Sequence, residues 1–168
     1  MILVLVLVLA LLQVTAAPFF PIASAQADLL LVTLGMLFVF AGPRRAMIAV
    51  PMMAIVLGFL SSRSPALLVL AFLPLPPLAY WLNIAGPPLT RFLQTAMVVL
   101  ITGAWARGLL GLAAIAQGAD AAFGTMIVHI ILPGMVLDGL FLSLAYLPAR
   151  LIGWEPRSTS PLRERYQV

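Results

Sequence analysis

The chain has 168 residues, 64% of them hydrophobic and 8% charged, with a mean hydropathy of +1.17. Soluble domains carry about 25% charged residues, so this composition excludes an ordinary soluble globule and points to an integral membrane protein. The formal charge is +4 and every basic residue is arginine, which in a membrane protein reports the bias toward basic cytoplasmic loops rather than nucleic-acid binding.

Zero cysteines exclude disulfides and thiolate metal sites, and one histidine leaves no internal metal cluster. About 20 residues cross a bilayer as helix, so the chain has room for about six spans. The apolar runs are continuous rather than alternating, which argues against a transmembrane barrel. The expected architecture is an all-α bundle of about six transmembrane helices over residues 1–149, followed by a basic cytoplasmic tail over 150–168.

Span 1 covers residues 1–17. It lacks a basic leading region, and Gln13 and Thr15 stand where a cleavage region would begin, so it reads as a retained span rather than a signal peptide. Pro18 to Ala27 form a loop. Span 2, residues 28–41, opens on Asp28, a carboxylate suited to cap free amides at a helix N-terminus. Gly42-Pro43-Arg44-Arg45 is a turn in water between spans 2 and 3. Span 3, residues 46–61, contains Pro51, which should kink it.

Span 4, residues 64–83, carries Pro74, Pro76 and Pro77. Each proline removes a donor and clashes one turn back, so a break between Leu73 and Pro77 is predicted, with Pro76-Pro77 opening a second half-helix. Tyr80 and Trp81 mark the interface at its end. Span 5, residues 89–116, is longer than a crossing needs. Its small pair Ala104 and Gly108 permits close approach of another helix, making these two the candidate partner-contact residues. Span 6, residues 121–149, should kink at Pro133-Gly134.

Orientation follows from the arginines. Arg44, Arg45, Arg91, Arg150, Arg157, Arg163 and Arg165 fall on one side with both termini, and only Arg63 and Arg107 fall opposite. That split places both termini in the cytoplasm. Arg44, Arg45, Arg91 and Arg150 are the candidate topology and lipid anchors, with anionic lipid headgroups the default partner.

Three intramembrane polar residues have no assigned role. Asp138 lies well inside span 6, where a charge is expensive. It can handle protons, tie ionically to a neighbouring helix, or sit neutral or hydrogen-bonded to Ser143 or a threonine of the bundle, the last being preferred because buried acids tend to neutralise. Arg107 can snorkel outward or pair with Asp120. His129 is expected to hydrogen-bond within the bundle, as are the single amides Gln13 and Gln94. The sequence holds no nucleophile–base pair, no metal-ligand cluster and no phosphate-cradling loop, so no catalytic residue, cofactor site or metal site is expected and the chain reads as a non-enzyme.

Leu11-Leu-Gln-Val-Thr15, Ala27-Asp28-Leu-Leu-Leu-Val32, the Gly-Pro-Arg-Arg tip at 42–45, Gly58-Phe-Leu with Ser61 and Ser62, Leu132-Pro-Gly-Met-Val-Leu-Asp138 and Tyr146-Leu-Pro148 together resemble the MreD family of bacterial rod-shape-determining membrane proteins. The chain departs from that pattern at Ala27, where a proline is usual, at Ser61 and Ser62, where an acid often stands, and at Asp138. The resemblance implies a non-enzymatic role in the inner membrane beside MreC-like, RodA-like and class B penicillin-binding proteins, organising lateral peptidoglycan synthesis. It also implies a bundle similar to the substrate-binding subunits of energy-coupling-factor transporters. That likeness supplies an alternative function, a subunit binding a small vitamin-like molecule, for which the broken span 4 is the best argument.

Overall fold

The computed structural model describes residues 8, 11, 13–15, 28–61, 64–82, 84, 87–119 and 122–151, with the backbone alone at 43–45. The loop at 18–27, Arg63, Asp120, the tail beyond 151 and the side chains of Arg44 and Arg45 lie outside the described residues. Among the described residues every regular element is helical. In chain order they are α1 (Leu29–Phe40), α2 (Pro43–Leu60), α3 (Pro65–Phe72), α4 (Leu75–Trp81), α5 (Pro88–Ala116), α6 (Phe123–Met126), a π-helical turn (Ile127–Ile131) and α7 (Leu132–Leu151). Residues 13–15 are helical too.

Two continuous helical stretches, Pro88–Ala116 and Phe123–Leu151, are long and apolar enough to cross a membrane. At roughly 1.5 Å per residue each 29-residue stretch exceeds the roughly 30 Å hydrocarbon core. α1, with 12 residues, is much shorter.

The turn between α1 and α2 is tighter than the sequence suggests. Gly42 adopts φ 88°, the left-handed region open to glycine, and Pro43 already occupies the first turn of α2. Arg44 and Arg45 therefore begin a helix rather than line a loop. α2 then runs unbroken through Pro51, whose ring faces outward.

The break at the prolines is where the spacing predicts it. α3 ends at Phe72 and α4 starts at Leu75, with Pro74 as its cap and Pro76 in its first turn. Leu73 and Pro74 both stay in the right-handed helical region, so the hydrogen-bond ladder is interrupted without the chain swinging away. Pro74 cannot donate to the carbonyl of Leu70. That carbonyl instead accepts the indole N–H of Trp105 from α5 at 3.2 Å, and a longer backbone bond from Leu73 at 3.4 Å. Replacing Trp105 by Phe keeps an aromatic side chain and removes the donor. Thermal unfolding in detergent should then show a loss of about 0.5–1.5 kcal/mol, and an unchanged midpoint would mean that the Leu73 bond suffices.

Pro133 acts differently from Pro74. The turn before it is widened, with the Leu132 amide reaching back five residues to the Ile127 carbonyl. A π turn at this point accommodates the proline ring without ending the helix, so the kink predicted at Pro133-Gly134 is a π turn one step earlier.

One core joins α1, α2, α3, α4, α5 and α7. Leu30, Leu31, Leu34, Met53, Leu68, Phe72, Leu75, Val98, Val99 and Leu142 are buried at its centre. Gln94 of α5 closes one helix end: its amide donates to the Leu82 carbonyl at 3.1 Å, one of the acceptors that the C-terminus of α4 leaves without an intrahelical partner.

Candidate functional site

α1 begins inside the bundle, and its first amides need acceptors. Asp28 caps it as the sequence predicts: Oδ1 accepts from the Leu31 amide at 3.0 Å. The Leu29 amide donates to Oε1 of Gln13 at 2.7 Å. The Asp28 amide itself donates to Oδ1 of Asp138 at 2.8 Å, across 110 residues of sequence. The start of α1 is thus held by its own cap, by a residue of the first predicted span and by a carboxylate of α7.

Asp138 is fully buried and ion-paired with Arg107 of α5. The pairing is two-pronged: Nη1 donates to Oδ2 at 2.6 Å and Nη2 to Oδ1 at 3.0 Å. A fork of this kind is the strong geometry for guanidinium and carboxylate. With the Asp28 amide added, the carboxylate accepts three donors. The Asp28 carboxylate also bears electrostatically on Arg107, so the one cation sits among two anions and the positive end of a helix.

Glycine makes the room. A Cβ built on Gly134 collides with the Arg107 side chain, and one built on Gly103 comes within 2.9 Å of both Arg107 Nη1 and Asp138 Oδ2. Real Cβ contacts are not that short, so the guanidinium lies in a slot left by two missing side chains, one on α5 and one on α7.

These positions correct several expectations. Arg107 turns inward to Asp138 rather than snorkelling outward, and the alternative pairing with Asp120 lies outside the described residues. Asp138 is not held by Ser143, whose hydroxyl donates to the Gly139 carbonyl on its own helix at 2.8 Å. The ionic tie to a neighbouring helix, the less favoured alternative, is the arrangement found. His129 is exposed on the π turn, and the bond expected of it is not made to any of the described residues. Gln13 and Gln94 do make the cross-helix bonds expected of them.

The small residues of α5 do not share one role. Gly103 faces the ion pair, whereas a Cβ on Gly108 meets nothing within 4 Å and Ala104 is half-buried. Gly108 therefore packs closely against none of the described residues. The sequence offered one missed signal, the placement of Gly103 four residues before Arg107 and Gly134 four residues before Asp138, which clears the turn beneath each charge.

Chemically, the arrangement suits holding rather than reacting. The two charges are committed to each other, the carboxylate also accepts from a backbone amide, and Asp138 has no exposure to water. Comparison with family models, with curated proteins and with solved structures finds no match for the chain.

Proposed function

We propose that the chain is a six-span protein of the bacterial inner membrane and a non-catalytic scaffold of the cell-elongation machinery, of the kind that the MreD resemblance implies. One observation carries the reading. Three stretches that bear the resemblance, around Gln13, around Asp28 and from Leu132 to Asp138, meet at a single polar network. Gln13 and Asp28 lie in the familiar stretches, and Asp138, where the chain departs from the family pattern, joins them, so that the network fastens the first, second and last predicted spans together. A scaffold needs that rigidity, and it presents its outer faces to partners.

The orientation gains from the ion pair. Arg107 is neutralised inside the bundle and drops out of the count of loop charges, leaving Arg63 alone opposite the seven arginines of the terminal side. That count supports a cytoplasmic position for both termini. The vitamin-binding alternative leaned on the broken helix, and the carbonyl that the break exposes is taken by Trp105 rather than turned toward a ligand.

The reading is tested by purifying the protein from its native membranes in mild detergent and identifying what accompanies it. MreC-like, RodA-like and class B penicillin-binding proteins are the expected companions. An ATPase module with a bound small molecule would replace the scaffold by the transporter subunit. Gly108 and Ala104 are the proposed partner face, so Gly108→Leu should reduce recovery of a membrane partner severalfold while leaving insertion intact. A reporter fused after Val168 should be active in the cytoplasm alone; activity on the other side would overturn the orientation.

A further inference from the structure

At the end of the bundle opposite the Asp28 amide network, α5 begins and α7 finishes. Tyr146 joins them, its hydroxyl donating to the Pro88 carbonyl at 3.3 Å. Its ring is wedged between Phe40 and Phe92, with centroids 5.7 Å and 5.2 Å away. Arg91 stands in the first turn of α5 and Arg150 in the last turn of α7, the two helix ends that the Tyr146–Pro88 bond ties together, so two guanidiniums from different helices are carried at one corner.

Among the described residues nothing acidic answers them. Neither arginine has an ion-pair partner among the described residues, and Asp28 and Asp138 are committed at the other level. The Nε of Arg91 is sealed from solvent without an acceptor. The first turn of α5, a 29-residue helix, contains no acidic residue and no side-chain cap, so its positive end is also uncompensated.

We propose that this corner, between the first turn of α5 and the last turn of α7, binds the phosphate of an anionic phospholipid in the cytoplasmic leaflet. The inference rests on the membrane orientation proposed above. A lipid fits better than a free anion because the corner is floored by apolar rings, Phe40 and Phe92, and Leu89, Leu93 and Leu147 beside it are exposed. Acyl chains can lie against the three exposed leucines while the headgroup meets the arginines, and buried Tyr146 holds the two helix ends in place.

The test uses the purified full-length protein with phosphatidylglycerol and phosphatidylcholine as competing probes, bound lipid being read by native mass spectrometry. The wild type should retain phosphatidylglycerol in preference. Each of Arg91→Gln and Arg150→Gln should weaken that retention about fivefold, and Arg91→Lys with Arg150→Lys should keep most of it. Equal retention by the double glutamine variant, with an unchanged elution profile, would overturn the site. Displacement of the lipid by millimolar glycerol 3-phosphate would overturn the lipid assignment in favour of a soluble phosphate. Alkaline carbonate extraction of cell membranes separates the two levels: a chain that stays in the pellet but shows no lipid preference refutes the site alone. A chain released into the supernatant refutes the membrane reading and the site with it.

Discussion

Replacing Asp138 by leucine should destabilise the protein by about 3–5 kcal/mol, because it strands the Arg107 guanidinium in a buried slot. Arg107→Leu should cost about as much by stranding the carboxylate. The double replacement should recover most of the loss, since two apolar side chains of similar volume need no pairing. It should not recover all of it. The Asp28 amide donates to Asp138 and would be left without an acceptor, a cost of about 1–3 kcal/mol. Thermal unfolding of the detergent-solubilised variants, followed by tryptophan fluorescence, measures all three. A double variant no more stable than either single one would show that the charges do not act as a pair.

The second large effect concerns space rather than charge. Gly134→Ala adds a single methyl group, yet that Cβ collides with the Arg107 side chain. Overpacking of this kind costs about 1–3 kcal/mol, and more if the guanidinium is pushed off its carboxylate. Gly108→Ala is the matched control in the neighbouring helix, since its Cβ meets nothing within 4 Å. It should be neutral or stabilise by up to about 1 kcal/mol, as alanine replaces glycine within a helix. Midpoints from the same unfolding assay decide between them. Equal midpoints for the two variants would mean that Arg107 can move aside at no cost, and the slot would then have no structural meaning.

The ion pair also says why two charges are tolerated in an otherwise apolar interior. A lone arginine or aspartate at the centre of a span costs about 2.5–3.5 kcal/mol on insertion scales. Paired and bonded to a backbone amide, the two close the gap that a short α1 leaves at its N-terminus. Without Asp138 and Gln13, the amides of Asp28 and Leu29 would lose these acceptors, and an unsatisfied amide in an apolar setting is itself costly. The short helix and the buried pair are thus two sides of one solution.

Much of this was legible from the sequence alone. Composition determines an all-helical chain, because long uninterrupted apolar runs can satisfy their backbone only internally. Local chemistry determines the cap at Asp28, the break at Pro74, the proline-led start of α4 and the disturbance before Pro133, since each depends on donors and clashes within one turn of chain. Tertiary structure alone decided what the polar residues do. Arg107 and Asp138 are 31 residues apart and Asp28 and Asp138 are 110 apart, and no periodicity relates such positions. The pairing depends on which helix faces pack and on two absent side chains, at Gly103 and Gly134, that open a slot between them. A span read by itself offers Arg107 only the water at its ends; the packed bundle offers it a carboxylate, and a two-pronged bond in a dry interior outweighs snorkelling.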